Sequence, residues 1–545
     1  MFARIKKSGR NQYLQLVENR REGKKIIQRV IVTFGRMDEL AQKGDLETIV
    51  QSLARFSEKL LLIFAAKDNT ELQAQARKIG PALIFDRLWK ELGIGKVIGR
   101  LLHERKFEFN VERAIFLTVL HRLFTSGSDR CCDKWHSDYR IDGVESLGLH
   151  HLYRAMAFLG EEIEEQKDRT PFTPRCIKDI IEEELFHMNS DLFSGVDLFF
   201  FDTTSIYFEG AGGQSLGKKG HSKDHRPDLN QLVVGALLND AGRPVCCEIW
   251  PGNTADIKTL LPVADRLKKR FAVDMFCLVA DRGMISEETI QGLDERDIPY
   301  ILGSRMRKNK EVRNDVLLRG GRFKEIHPET KSGPSALKVK EVRVEDRRYI
   351  VCLNEKQARK DAQDRQNIIA SLKEQLKRGP KSVVGNKGYR KYLKLDREHI
   401  AIDENKIEEE ARYDGKWVLR TNMDDLPAEM VALKYKELWK VEQTFRDVKT
   451  ILETRPVYHQ NDATIRGHIF CSFLALVLRK ELTSRLEKAG CSFEWEDIKQ
   501  DLEKLQEVTL QEQGKRFAVR TQCTGICGKI FQSAGVAIPP TIRAL

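Results

Sequence analysis

The chain has 545 residues, of which 41% are hydrophobic, so it is long enough to form several folding units with buried cores. Its 93 lysine and arginine residues exceed its 81 aspartate and glutamate residues, which gives a formal net charge of +12. This balance favours a polyanionic partner such as nucleic acid, because each neutralised phosphate releases condensed counterions. A basic enzyme without such a partner fits the charge equally well.

Cysteine usage and hydropathy exclude two further classes of protein. The 11 cysteines are an odd number scattered through apolar segments, which is typical of a reducing compartment and not of a disulfide-linked secreted domain. Cys523 and Cys527 have no second pair at metal-ligand spacing nearby, which argues against a zinc site. No signal peptide is evident, and the most apolar segment, "IFCSFLALVL", is about half as long as a membrane span. We therefore expect a soluble cytoplasmic protein without a membrane partner.

The amino-terminal part of the chain predicts one hairpin followed by helices. Residues 13–34 contain two β-rich runs around a charged turn, and a helical pattern follows at 45–64. Helical patterns continue through the next hundred or so residues, with Asn110 in position to cap one helix. We expect a β-hairpin and helix over 1–70 and a helical region over 71–190 that could bind DNA, although no helix-turn-helix spacing stands out.

The periodicity changes after Leu192, where strand-like runs begin. Three successive runs at 196–206, 231–239 and 245–250 can pair as an antiparallel meander. Helices and strands then alternate, which favours an α/β layer over a sandwich or a helical bundle. We therefore expect the first part of an α/β core over 191–303.

Residues 304–425 interrupt this alternation. They begin with a run at 304–324 that carries eight basic and two acidic residues, which is either a solvated surface or a phosphate-tracking surface. A hairpin pattern, a charged helix and another strand follow, so the segment predicts a β-rich insertion. Helical periodicity resumes over 426–483, which would complete the core, and a carboxy-terminal region covers 484–545.

Two aspartates follow nearly all-apolar runs. Asp202 comes directly after "LFFF", and Asp281 comes directly after "FCLVA". A carboxylate at the end of a buried strand is costly to desolvate unless it meets a cation or hydrogen-bond donors. If the two strands are neighbours in one sheet, the two carboxylates repel each other unless a divalent metal lies between them. The alternative is that each aspartate only caps the loop that follows it.

A glutamate lies on a predicted helix further along the chain. The apolar positions of that helix that would face a sheet are Leu438, Val441, Phe445, Val448 and Leu452. Tyr435, Glu442 and Lys449 are spaced by seven and form a second stripe beside the apolar one. A solvated helix surface often produces glutamate and lysine at this spacing, so the stripe alone does not establish a site.

Taken together, these residues resemble the DDE transposases of bacterial insertion sequences. The pattern Y-x2-L-x3-E-x6-K of Tyr435, Glu442 and Lys449 is similar to the Y-x2-R-x3-E-x6-K signature of the insertion-sequence-four superfamily, and Trp439 fits the tryptophan of that helix. The segments "GHSKDHRPDLNQLVVGALLNDAGRPVCCEIWPGNTADIKTL" and "RPVYHQNDATIRGHIFCSFLALVL" resemble those that follow the first aspartate and the glutamate helix in this group. The resemblance therefore extends over most of the chain.

One position departs from the signature. Leu438 stands where the superfamily has arginine, which leaves one phosphate contact unassigned. Lys440 or Arg446 is the candidate replacement, and Arg446 lies nearer the catalytic stripe. In addition, "WVLRT" resembles the strand whose tryptophan holds a flipped base during hairpin formation, so Trp417 is expected to bind DNA by stacking. A core or cross-strand role is the alternative for Trp417.

The resemblance implies a fold and a set of ligands. The fold is α/β, with a ribonuclease H-like catalytic core interrupted by a β-rich insertion, a helical N-terminal region and a small N-terminal β-hairpin. Asp202, Asp281 and Glu442 would be the catalytic residues and would hold two Mg²⁺ ions, with Asp202 bridging the pair and Mn²⁺ as a substitute. Tyr435 and Lys449 would hold phosphates near the scissile bond.

The resemblance also implies an activity. A DDE transposase nicks the 3′ end of its element, forms and reopens a hairpin, and joins the freed hydroxyl to target DNA. The partners would be double-stranded DNA with terminal inverted repeats, target DNA, and a second subunit in a synaptic homodimer. The helical region over 71–190 would be the DNA-end-binding region, and the protein would be associated with the bacterial nucleoid. Two alternatives remain: a transposase-derived DNA-binding protein without cleavage activity, favoured by Leu438, and a ribonuclease H-like nuclease with another substrate, disfavoured by the long insertion and the helical N-terminal region.

Overall fold

The structure is a computed structural model. It describes residues 1–22, 25–54, 73–163, 174–189, 197–327, 336–377, 390–395, 400–450, 452, 454–512 and 515–544. Two compact units are present, one formed by Met1–Leu83, Ser137–Arg140 and Phe493–Leu545, and the other by Ile84–His136 and Ile141–Ser492. No helix within the described ranges is long and apolar enough to cross a membrane.

The strands, numbered in chain order, are β1 (Phe2–Ser8), β2 (Asn11–Glu22), β3 (Lys25–Arg36), β4 (Gln73–Lys78), β5 (Asp197–Tyr207), β6 (Gln231–Asn239), β7 (Pro244–Pro251), β8 (Phe276–Ala280), β9 (Tyr300–Gly303), β10 (Lys324–Ile326), β11 (Leu337–Val344), β12 (Arg347–Leu353), β13 (Leu393–Leu395), β14 (Ile400–Ile402), β15 (Lys416–Thr421), β16 (Gln506–Glu512), β17 (Lys515–Arg520) and β18 (Ile542–Ala544). The α-helices are α1 (Met37–Gln42), α2 (Asp45–Ala54), α3 (Gly80–Glu91), α4 (Ile94–Leu101), α5 (Val111–Phe124), α6 (Asp129–Trp135), α7 (Leu149–Leu159), α8 (Ile177–Asn189), α9 (Leu260–Arg270), α10 (Glu287–Asp294), α11 (Glu355–Lys377), α12 (Glu404–Ala411), α13 (Ala428–Lys436), α14 (Trp439–Thr450), α15 (Asp462–Lys488), α16 (Trp495–Glu503) and α17 (Cys527–Ser533).

The first unit contains two antiparallel sheets. β1, β2 and β3 form one of them, and β2 pairs with β3 from Tyr13–Arg36 to Glu22–Lys25, which confirms the predicted hairpin. The turn of that hairpin and the second half of the helix predicted at 45–64 lie outside the described residues. The other sheet has the order β18-β17-β16-β4, so carboxy-terminal strands pair with a strand from the amino-terminal part.

The second unit is built on a nine-stranded mixed sheet of order β10-β11-β12-β15-β9-β8-β5-β6-β7. β5, β6 and β7 pair antiparallel, which confirms the predicted meander. β8 pairs parallel to β5, and β9 pairs parallel to β8, with α9 and α10 in the connections. The alternation of helix and strand therefore forms the predicted α/β layer.

The strands predicted within the insertion extend this same sheet. β15 pairs antiparallel with β9 on one side and with β12 on the other, and β11 and β10 continue outward to the edge. The charged helix predicted there is α11. The strands β10, β11, β12 and β15 therefore lengthen the sheet of the α/β layer at its β9 side.

β5 is a buried interior strand of this sheet, between β8 and β6. Phe199, Phe200 and Phe201 are each at most 1% exposed, because both surfaces of the sheet are covered at this strand. Phe199 and Phe201 pack in one core cluster with Leu278 of β8 and Leu302 of β9. Full burial of one such side chain contributes about 1.5–3 kcal/mol, so the three phenylalanines hold β5 firmly in the layer.

The helical predictions are largely confirmed, with one difference. Asn110 caps α5, since its side chain accepts a hydrogen bond from the backbone N–H of Arg113. The apolar stripe predicted on the glutamate helix is buried along its whole length, and α14 packs against β5 and β6. However, the helix is not continuous: α13 ends at Lys436 and α14 begins at Trp439. Successive i→i+3 hydrogen bonds tighten the chain around Leu438 and interrupt the α-helical pattern.

Candidate active site

Two of the predicted carboxylates lie on neighbouring parallel strands. Phe201 of β5 is paired with Ala280 of β8, so the residues that follow them, Asp202 and Asp281, are adjacent positions of the sheet. β8 ends there, but β5 continues to Tyr207 in antiparallel pairing with β6. Asp202 is therefore not the cap of a loop. It lies where the parallel pairing of β5 with β8 ends.

Asp202 is held in a poorly solvated position. The backbone N–H of Thr203 donates to Asp202 Oδ1 at 2.7 Å, and the Nζ of Lys223 lies 4.0 Å from the same oxygen. Burial raises the pKa of Asp202 to about 6, the nearby charge of Lys223 opposes this rise, and the charges of Asp281 and Asp256 add to it. The site thus carries excess negative charge that a cation would relieve.

A lysine and an aspartate that the sequence did not indicate as site residues complete this environment. Thr203 Oγ1 donates to Asp256 Oδ1 at 2.8 Å. Lys223 Nζ donates to the carbonyl of Thr203 at 2.7 Å and lies 3.3 Å from Asp256 Oδ2. Both residues belong to segments with family resemblance, "GHSKDHRPD" and "GNTADIK", and that was the signal that could have identified them.

Asp281 is oriented by Tyr435. The hydroxyl of Tyr435 donates to Asp281 Oδ1 at 2.9 Å. Burial, and next the negative charge of Asp281, raise the pKa of Tyr435, so the phenol remains a neutral donor. Gly303 makes room for this bond, because a Cβ at that position would overlap with the Tyr435 hydroxyl. Tyr435, which we expected to hold phosphate, is thus engaged with a candidate metal ligand.

Glu442 and Arg446 lie one turn apart on α14, and both are exposed. Within the described part of the chain, the Glu442 carboxylate makes no hydrogen bond or ion pair. Its helix packs on β5, the strand of Asp202. The structure therefore gives Asp202 and Asp281 adjacent positions, but the three carboxylates do not form a group with ligand atoms within 4.8 Å of one another.

Lys449, the last residue of the signature, contacts an acid. Its Nζ donates to Asp224 Oδ1 at 2.7 Å, and Arg455 pairs with the same carboxylate oxygen. Burial lowers the pKa of Lys449, and the bond with Asp224 opposes that effect. The other oxygen of Asp224 is buried and has no hydrogen-bond partner among the described residues.

Trp417 and Lys440, two further candidates for DNA binding, differ in whether their polar groups have hydrogen-bond partners. Trp417 lies inside the sheet on β15, paired with Cys352 of β12; it is half-buried, and its indole N–H has no partner within the described ranges. Lys440 is occupied, since its Nζ donates to the carbonyl of Asp240 and to Glu437. Of the two replacements considered for the missing arginine, Arg446 is the one that remains available to a ligand.

The described residues contain one tight group of potential metal ligands, and it lies elsewhere. Ligand atoms of Asp129, His459 and His468 all lie within 4.8 Å of one another. Arg122 occupies the group, because its Nη2 is 2.8 Å from His468 Nδ1 and 3.8 Å from an Asp129 oxygen. A guanidinium already supplies the positive charge there, so this cluster is a buried polar network that does not suit a metal.

Comparison with known proteins shows which class of protein this site defines. The family model described as "Transposase DDE domain" matches residues 194–478, more than half of the chain. A second model, "IS1634 family transposase, N-terminal domain", matches residues 3–68. The chain therefore belongs to the DDE transposases, and within them to the transposases of bacterial insertion sequences.

One solved structure similar to the chain is a cryo-EM synaptic complex of piggyBac transposase with hairpin DNA. The two share 9% identity with a TM-score of 0.38, over 78% of this chain and 79% of that chain. A likeness of this extent carries no argument about the site. No curated protein matches the sequence significantly.

Proposed function

We propose that this transposase moves its insertion sequence by a cut-and-paste reaction: nicking at the 3′ end of the element, hairpin formation and strand transfer. The observation that carries the proposal is the adjacency of Asp202, on β5, and Asp281, directly after β8, inside the segment that matches the DDE domain. The meander of β5–β7 followed by parallel β8 and β9 supports a ribonuclease H-like core. We also propose the domain boundaries predicted from the sequence.

The acidic residues fit a divalent metal. Asp202 is poorly solvated and is further disfavoured as an anion by Asp281 and Asp256, and hard cations prefer such oxygen ligands. Asp202, Asp281 and Glu442 would hold Mg²⁺, with Mn²⁺ as a substitute. The bound metal would activate the attacking oxygen and stabilise the leaving one.

Hydrogen-bond donors of the protein orient the two aspartates. The Thr203 N–H fixes Asp202, and the Tyr435 hydroxyl fixes Asp281, so both carboxylates are held before substrate arrives. Glu442, exposed on a helix that packs against β5, completes the ligand set when DNA and metal are bound. Preorganised groups of this kind lower the cost of reaching the transition state in phosphoryl transfer.

DNA would be held around this centre by the remaining signature residues. Arg446 is exposed one turn from Glu442 and is suited to a phosphate contact. Lys449 would exchange Asp224 for a phosphate, and Trp417 would stack on an extruded base. Both ends of the element must be held together, so the active form would be a homodimer on double-stranded DNA.

Isosteric substitutions test the proposal. Purified protein with Mg²⁺ should nick a linear duplex taken from the DNA that flanks the coding sequence, whereas Asp202→Asn and Glu442→Gln should bind the duplex and not cut it. Glu288→Gln, an exposed carboxylate on α10, is the matched control and should cut normally. Cleavage by Asp202→Asn would refute the metal assignment. Binding without cleavage by the unmodified protein would favour the alternative of a DNA-binding protein, which the buried Leu438 supports.

A further inference from the structure

A basic cleft opens directly beside Asp281. It has a volume of about 390 Å³ and is lined by the turn that follows β8 and by the chain that follows β9. The basic side chains in its wall are Arg282, Arg305, Arg307 and Lys308. Asp281 is the single acidic residue among those lining it. The cleft thus joins a candidate metal ligand to a concentration of positive charge.

Arg305 is built into the wall of this cleft. Its Nε donates to the carbonyl of Arg282 at 2.8 Å, and its Nη2 donates to the carbonyl of Gly283 at 2.7 Å. These bonds fix the guanidinium at the turn after Asp281, but neutral carbonyls do not cancel its charge. Arg305 therefore presents a positioned cation next to the site and keeps donors for a further ligand.

The cations of the cleft differ in how far they are neutralised. Arg307 pairs with Glu410 at 3.1 Å and its guanidinium lies over the ring of Tyr413. In contrast, Arg282, Arg305 and Lys308 have no acidic partner within 4.0 Å among the residues that the structure describes. Arg282 and Lys308 are exposed, so water and not a carboxylate solvates their charges. The three cations around one concave surface repel one another and attract an anion.

We propose that this cleft binds the backbone of the DNA strand that is cleaved, with Arg282, Arg305 and Lys308 as its phosphate contacts. The inference rests on the proposed function, because the strand that reaches Asp281 for cleavage would continue along this wall. It also gives a role to the start of the basic run at 304–324, which the sequence alone could not distinguish from a solvated surface. Such contacts position DNA without reading its sequence.

The salt dependence of DNA binding tests the cleft. Affinity for a fluorescent duplex from the DNA that flanks the coding sequence is measured in EDTA over a series of salt concentrations. The slope of log K against log salt is negative, and each phosphate contact that is lost reduces its magnitude by about one. The double substitution Arg282→Gln/Lys308→Gln should reduce the magnitude of the slope by about two. The midpoint of thermal unfolding should be unchanged, because both side chains are exposed.

The matched control removes the same charge from another surface. Arg359 and Lys360 are exposed on α11, so Arg359→Gln/Lys360→Gln changes the net charge equally and should leave the slope unchanged. Equal slopes for the two double variants would overturn the inference. Because binding is measured without metal, this result is separate from the proposed function: loss of cleavage in Asp202→Asn together with equal slopes would refute the cleft alone.

Discussion

The hydroxyl of Tyr435 and the carboxylate of Asp281 are joined by a hydrogen bond of 2.9 Å, although 154 positions separate them in the chain. The bond links α13 to the end of β8 and restrains the orientation of the carboxylate. Since burial raises the pKa of Tyr435, the phenol donates and does not compete with Asp281 as an anion. A signature residue thus positions a candidate metal ligand.

Removing only this donor should weaken metal binding. Tyr435→Phe keeps the ring and its packing but leaves Asp281 free to rotate. Loss of a residue that orients a metal ligand typically costs about 10–100-fold in metal affinity or activity. We expect a decrease of this size in Mn²⁺ affinity, measured by titration, and in the rate of nicking. Tyr458→Phe, at an exposed tyrosine, should change neither quantity, and unaltered Mn²⁺ affinity in Tyr435→Phe would contradict a positioning role.

The raised pKa of Asp202 predicts a pH-dependent stability in metal-free protein. The folded protein binds this proton more tightly than the unfolded chain does, since the pKa is about 6 in the fold and 3.8 ordinarily. The associated stability is present below pH 3.8 and is lost as the pH rises through about 6. At 1.36 kcal/mol per pKa unit, the folded protein loses up to about 3 kcal/mol by neutral pH.

Asp202→Asn should therefore be more stable than the unmodified protein at pH 7 in EDTA, and the difference should shrink toward pH 4. Thermal unfolding measured across this pH range provides the check. Glu442→Gln, at an exposed position, should show no comparable gain. Mg²⁺ should reverse the order at pH 7, because it binds more tightly to the unmodified protein, which keeps the Asp202 carboxylate. Equal stability of Asp202→Asn and unmodified protein at every pH would show that Asp202 is well solvated.

Lys223 should determine how far the nicking activity extends toward low pH. Its positive charge opposes the rise in the Asp202 pKa, so Lys223→Gln should raise that pKa further. The fraction of ionised Asp202 at a given pH then falls, and the acid limb of the pH–rate profile for nicking should shift to higher pH. Lys219→Gln removes the same charge from an exposed neighbour and should leave the profile in place. A lower rate with an unshifted profile would indicate a structural role only.

The sequence predicted local features of this fold well. The meander of β5, β6 and β7 and the buried stripe that includes Val441 and Phe445 follow from residue periodicity, which burial enforces directly. These features depend on short segments, and each segment carries its own pattern. The two apolar runs that precede Asp202 and Asp281 predicted two buried strands, whereas the adjacency of the two aspartates was predicted only on the condition that these strands are neighbours.

Features that depend on distant pairing could not be predicted. Leu419 of β15 pairs with Gly303 of β9, and nothing in either segment specifies the other as a partner. Likewise, Asp256 and Lys223 are polar residues in connections, and their contacts with Thr203 exist only once the sheet has formed. The break between α13 and α14 arises from tight turns, which helical periodicity does not reveal.

Leu438, which stands in place of the signature arginine, should contribute to packing and stability and not to DNA binding. Its side chain is 6% exposed and belongs to the apolar stripe that faces the sheet. Leu438→Arg, which restores the superfamily signature, would bury a charge that has no partner there and should cost about 3–5 kcal/mol of stability. We expect a lower midpoint of thermal unfolding and no gain in nicking. Leu438→Met keeps the volume and should behave like the unmodified protein.

The salt dependence of DNA binding distinguishes two candidates for the phosphate contact that the signature arginine makes. Arg446 is exposed on the catalytic stripe, whereas Lys440 is bound to Asp240 and Glu437. Arg446→Gln should therefore weaken DNA binding and reduce the magnitude of the slope of log K against log salt by about one. Lys440→Gln should leave this slope unchanged. If Leu438→Arg were as stable as the unmodified protein and nicked DNA faster, position 438 would have access to phosphate, and Arg446 would no longer be needed as the replacement.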